Sequence, residues 1–108
     1  MIFSFFSRDD TGKALAQTMA NMIKKNMEPA AFGKDSKLLS TNKVVRMLEG
    51  CYALAVKYKE TEKIGFMKSA KLANAFKWEL RQMGYPDEFV DLATEGLIMA
   101  MMNNKPQS

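Results

Sequence analysis

The sequence predicts an all-α protein: a compact helical bundle of four main helices with an apolar N-terminal segment docked on it. Three observations lead there. Apolar residues recur at the 3.6-residue period over four long stretches, and no stretch alternates convincingly with the period of two that a half-buried strand needs. Pro29, Gly33, Gly84 and Pro86 fall between or at the ends of those stretches, where helices stop and start. No repeat of solenoid period is present, and the tetratricopeptide pattern of Trp, Leu-Gly, Tyr, Ala and Phe is not met.

The chain opens MIFSFFSRDD, with three phenylalanines among its first six residues. The apolar run is too short for a secretory signal and nothing basic precedes it. No stretch reaches the roughly 20 apolar residues of a membrane-spanning helix. Exposing three rings would cost solubility, so residues 1–8 are expected to dock on the core. The other fates of such a segment are a frayed terminus or a contact with a membrane surface or partner.

The first helix is expected over about residues 11–27. Leu15, Met19, Met22, Ile23 and Asn26 share a face, and Asp9 or Asp10 caps the positive end of the helix dipole. Residues 28–40 form a connection punctuated by Pro29 and Gly33, pinned by Phe32, Leu38 and Leu39, with room for a short helical turn. The second helix reads from about 41 to 60, capped by Ser40 or Thr41. Its apolar positions, from Val44 to Tyr58, cover about 200° of the wheel, which predicts a helix touching several others. Arg46, Glu49, Gly50, Ala53, Lys57 and Glu60 make its polar strip.

The KETEK stretch at 59–63 marks the next break. The third helix is expected over about 62–83, ended by Gly84, with Phe66, Leu72, Ala73, Phe76, Leu80 and Met83 inward. Tyr85 and Pro86 turn the corner. Pro86 suits the first position of the fourth helix, and Asp87 and Glu88 suit its first turn. That helix runs to about residue 103 on Phe89, Val90, Ala93, Leu97, Ala100 and Met101, and 104–108 is a polar tail. At 108 residues the chain is expected to be one domain.

Composition narrows the function classes. There is no histidine, the commonest general base and metal ligand, and Cys51 is the only cysteine. No disulfide can form within the chain, which suits a reducing, cytoplasmic compartment. Structural zinc and Cys–His catalysis are excluded by inventory, and no metal or cofactor site is expected. Gly33–Lys34 lacks the upstream glycine and the following Ser or Thr of a phosphate loop. There is no nucleophile elbow and no calcium loop. Carboxylate pairs such as Glu60 and Glu62, or Asp91 and Glu95, read as solvated helix surface. The chain is therefore expected not to be an enzyme.

Two helical faces are left as candidate contact surfaces. On the third helix, Ile64, Met67, Lys71, Ala75 and Trp78 form a stripe nearly opposite the inward face, flanked by Lys68 and Arg81. Trp, Met and Arg are enriched in protein interfaces. The plainer expectation is that this stripe is buried too, under residues 1–6 or 28–40. On the fourth helix, Glu88, Asp91, Glu95, Ile98 and Met102 point away from the core. The adjoining segment GLIMAMM is either buried on several sides or presents a Met-rich patch to a partner or a second copy.

The net charge of +4 is mild. Between residues 57 and 81 stand Lys57, Lys59, Lys63, Lys68, Lys71, Lys77 and Arg81 against Glu60, Glu62 and Glu79, enough for weak phosphate attraction. A helix-turn-helix reader is disfavoured, because the helix after the corner opens with Asp87, Glu88 and Asp91, which repel phosphate. Lysines also number 13 against 3 arginines, and bidentate base reading prefers arginine. The first expectation is thus a small cytoplasmic protein that works by binding another protein, as an inhibitor, immunity-type protein or adaptor. The second is a nucleic-acid-binding accessory protein using the basic residues of the third helix.

Overall fold

In a computed structural model the backbone is described over residues 2–32 and 42–103, with side chains over 12–30 and 42–102. Four α-helices pack into a compact globule: α1 (Ile2–Asn26), α2 (Asn42–Glu62), α3 (Phe66–Met83) and α4 (Asp87–Asn103). The expected short turn after α1 is a 3₁₀ turn, Pro29–Phe32. α1 packs on α2 and α3, and α4 packs on the same two helices. The four therefore stand in a square, with α2 and α3 on one diagonal.

Side-chain pairings give the directions. Gln17 meets Glu79 and Met27 meets Tyr85, so α1 and α3 run parallel. Tyr52 meets Ala93 and Lys59 meets Met101, so α2 and α4 run parallel. Cys51 meets Met19 and Tyr58 lies beside Gly12, so α1 and α2 are antiparallel. Sequence neighbours usually pack side by side. Here α2 and α3 do not, because residues 63–65 carry the chain across the diagonal.

The break falls later than the KETEK stretch predicts, since Lys59 to Glu62 stay helical. The break is made by Lys63, which takes the left-handed conformation at φ 53°. The Ile64 amide then reaches back to the Lys59 carbonyl at 3.3 Å, the six-to-one closure of a Schellman end. Ile64 turns inward and is buried. Gly65, extended at φ −89° and ψ −167°, starts α3 with its carbonyl accepting from Ser69 N–H. The same device ends α3. Gly84 sits at φ 98°, where glycine is unstrained, and the Gly84 and Tyr85 amides close on Arg81 and Leu80. Pro86 precedes α4 and accepts from Val90 N–H, while Asp87 and Glu88 occupy the first turn.

The N-terminal end of α1 departs from expectation. The helix begins at Ile2, so Asp9 and Asp10 lie inside it and are not caps. Nothing before Gly12 breaks a helix, and interior Asp costs only about 0.7 kcal/mol against Ala. The docking of residues 1–8 and the contacts of Phe32, Leu38, Leu39, Ser40 and Thr41 lie outside the described side chains.

The core joins Met19 and Ile23 of α1, Val44 and Cys51 of α2, Leu72, Phe76 and Leu80 of α3, and Phe89, Leu97 and Met101 of α4. Burying a side chain of this size contributes about 1.5–3 kcal/mol. Of the side-chain hydrogen bonds that tie one part of the bundle to another, three are short, at 2.5–2.7 Å. Tyr85 O–H donates to the Met27 carbonyl at 2.5 Å, meeting a carbonyl at the exit of α1. Tyr52 O–H donates to the Ala93 carbonyl at 2.7 Å. Lys59 Nζ donates to the Met101 carbonyl at 2.6 Å, in the last turn of α4, where a cation also suits the helix dipole.

Two helical glycines differ sharply in what surrounds them. The Tyr52 ring lies against Gly96, where an added Cβ would stand 2.4 Å from the Tyr52 hydroxyl. No described residue lies within 4 Å of where a Cβ on Gly50 would stand. Gly50→Ala should therefore raise stability by about 0.5–1 kcal/mol through helix propensity alone. Gly96→Ala should lower it by about 1–3 kcal/mol, because Tyr52 must move off Ala93. Urea melts of the two variants check both signs. Lys63→Gly should add about 0.5–1 kcal/mol in the same assay, since glycine removes most of the left-handed penalty.

Burial pushes the Cys51 thiol up to about 11. Burial, helped by the Glu28 carboxylate, pushes the Tyr85 phenol up to about 12. Burial, with Cys51 nearby, also raises Tyr52. A raised acid stabilises the fold fully below its unfolded pKa and loses that stabilisation as pH climbs toward the folded one. The urea midpoint should hold steady up to about pH 9 and fall between pH 9 and 12, with tyrosinate absorbance rising as helical dichroism is lost. A midpoint unchanged at pH 11 would contradict this.

Candidate functional site

α3 carries three faces. At 100° per residue, Leu72, Phe76 and Leu80 point to the core. About 100° round on one side is the strip that meets α4. On the other side is the predicted stripe. Among the described residues nothing covers that stripe: Met67 is 70% and Trp78 51% exposed. α1 lies to one flank of it over the described side chains, and the segments expected to cover it, residues 1–6 and 28–40, lie almost wholly outside them. Lys68, Lys71 and Arg81 are exposed along the same side, Ala75 is half-buried, and Ile64 has left the stripe for the interior. Lys13 and Gly12 of α1 and Tyr58 of α2 join Lys68, Lys71 and Trp78 around a cleft of about 330 Å³. This brings a third lysine to the face, one that no helical wheel of α3 includes.

Arg81 is held in place. Its guanidinium lies 5.6 Å from the Trp78 ring centroid and its Nη2 reaches Asp87 Oδ1 at 3.4 Å. The stacking orients the indole, and the ion pair, being exposed, adds little stability.

The second predicted face is only partly a unit. Glu88, Asp91, Glu95, Ile98 and Met102 are all exposed on α4. Ile98 and Met102, however, belong to a groove between α3 and α4 that does not include the three acids. The groove measures about 580 Å³. Ala73 and Met101 form its buried floor with Ser69 and Thr94, and Gly65, Ala70 and Asn74 continue the α3 side. Phe66, Ile98 and Met102 stand at its rim, with Lys59 and Lys77 among its lining.

Phe66 corrects an inward assignment. It is 71% exposed, because it lies about 80° round the helix from Phe76, on the α4 side and in the first turn. Ser69 and Thr94, 7% and 8% exposed, were not singled out by the sequence. Among the described residues neither hydroxyl has a hydrogen-bond partner. Leaving a buried hydroxyl unpartnered costs about 1–3 kcal/mol. A serine or threonine in mid-helix is unremarkable in sequence, and only the pairing of α3 with α4 brings the two to one floor.

Among the described residues, no group of three or more acidic or cysteine side chains is placed to hold a metal ion, and no helix is long and apolar enough to cross a membrane. No protein-family model, curated protein or solved structure matches this chain.

Proposed function

We propose that the chain is a non-enzymatic protein-binding module, of inhibitor, immunity-type or adaptor character, whose contact surface is the outer face of α3. The observation that carries this reading is the exposure of Met67 and Trp78 on a rigid helix whose opposite side is anchored in the core. Burying an exposed indole gives binding energy at small entropic cost, and tryptophan is the residue most enriched in interface hot spots. Met67 adds an adaptable apolar contact. Lys13, Lys68, Lys71 and Arg81 surround the apolar centre, so the partner that fits presents an acidic face. A stable interface of standard size takes about 800 Å² from each side, which the α3 face and the adjoining end of α1 would supply together.

Three lysines beside an exposed indole also suit a nucleic-acid strand, with phosphate contacts from the lysines and a base on the ring. The two readings separate by salt, because phosphate binding releases counterions and weakens steeply as salt rises.

The test compares wild type with Trp78→Ala/Lys71→Glu in capture from the native host's lysate, with and without nuclease, at low and high salt. The double variant should keep its helical dichroism, since both side chains face solvent. Wild type should retain a stoichiometric protein through both treatments, and the double variant should lose it by at least about 2 kcal/mol, roughly 30-fold in affinity. An unfolded double variant would mean that the stripe is structural, and the reading would fall. Capture of nucleic acid that is lost at high salt and in Lys68→Glu/Lys71→Glu would replace it with the second reading.

A further inference from the structure

The groove between α3 and α4 is a second site, separate from the Trp78 face, and its lining has the character of a small-molecule pocket. Its volume of about 580 Å³ falls in the range of roughly 300–1,000 Å³ that such pockets span. From Gly65 to Lys77 its α3 side runs about 18 Å at the helical rise. Apolar groups make most of the surface, and no carboxylate lines it among the described residues.

The polar groups are not spread evenly. Counting outward from the corner at 84–86, Lys77 and Thr94 stand level with each other, and Asn74 lies one turn farther along α3. Three donors thus gather at one end: an ammonium, an amide and the hydroxyl of Thr94, which is more than nine-tenths buried and unpartnered. At the other end Lys59 is already engaged with the Met101 carbonyl. Lys77 has no ion-pair partner among the described residues. A partner helix, about 10–12 Å across, would rest on Phe66, Ile98 and Met102 and leave the Thr94 hydroxyl on the floor unmet. A narrow apolar chain ending in one anion would fill the floor and meet the donors.

We propose that the α3–α4 groove binds a single-chain fatty acid, with its carboxylate at Lys77, Asn74 and Thr94 and its acyl chain over Ala73, Ser69 and Gly65. The carboxylate accepts from the Lys77 ammonium, the Asn74 amide and the Thr94 hydroxyl. Ile98, Met101, Met102 and Phe66 close on the chain, the methionines adapting to its path.

The experiment titrates the full chain with sodium dodecanoate below its micelle concentration, by calorimetry and by ¹³C-methyl methionine spectra. Saturable one-to-one binding is expected, with shifts at Met101 and Met102. Dodecanol, which has the tail without the charge, should bind at least about tenfold more weakly, and Lys77→Gln should lose a similar factor for dodecanoate. Thr94→Val should weaken dodecanoate while raising the melting temperature of the free protein, a combination that a purely structural role would not give. Ala70→Trp, a substitution at an exposed rim position, should abolish binding without changing the helical dichroism. The proposal is overturned by an absence of saturable binding, by equal affinity for dodecanol, or by binding that survives Ala70→Trp. Binding to anionic phospholipid vesicles without binding of monomeric dodecanoate would also overturn it, in favour of a membrane-surface contact.

Discussion

Residues 63–65 take the chain from the end of α2 to the opposite corner of the bundle, and both clefts depend on that crossing. Had the link been a simple reversal, α3 would have packed along α2 with different flanks. Instead α3 stands between α1 and α4. One flank forms the cleft that Lys13 enters, and the other forms the apolar groove. The crossing is held at the cost of a left-handed lysine at Lys63, offset by the Schellman closure onto Lys59 and by the burial of Ile64. Lys59 then reaches the last turn of α4 from the same end of α2. The three-residue link and the end of α4 are thus fastened at one place.

The existence and order of the helices were legible from periodicity, because a helix must bury a stripe and the stripe repeats every 3.6 residues. Gly84 and Pro86 marked their corner correctly for a physical reason: one needs a positive φ and the other cannot continue a helix. The start of α3 was misplaced because charge density in KETEK resembles a loop, while the true break rests on a conformation that lysine rarely adopts. The start of α1 was misplaced because an Asp pair resembles a cap, although a cap acts only where the helix has begun.

The candidate surfaces were legible to a lesser degree. The wheel placed Met67, Lys71 and Trp78 together, but whether they were covered depended on where α1 lies. Lys13 could not be added from the sequence, being far from α3 along the chain. The groove was least visible. Ile98 and Met102 were grouped with the acids of α4 because a wheel knows only its own helix, and Ser69 and Thr94 acquire meaning only when two helices place their hydroxyls on one floor. Pairing of helices is a non-local property, and patterns within one helix do not encode it.

The parallel arrangement of α1 with α3 has a consequence for biosynthesis. The partners that cover Met19, Ile23 and Met27 include residues close to 60 positions later, as the ties of Gln17 to Glu79 and Met27 to Tyr85 record. At a translation rate of about 5–20 residues per second, that separation is a wait of roughly 3–12 seconds. During this interval the apolar side of α1 has only α2 to lie on. The order of the helices in the chain thus sets a window in which the nascent protein shows a methionine-rich surface to whatever surrounds the ribosome.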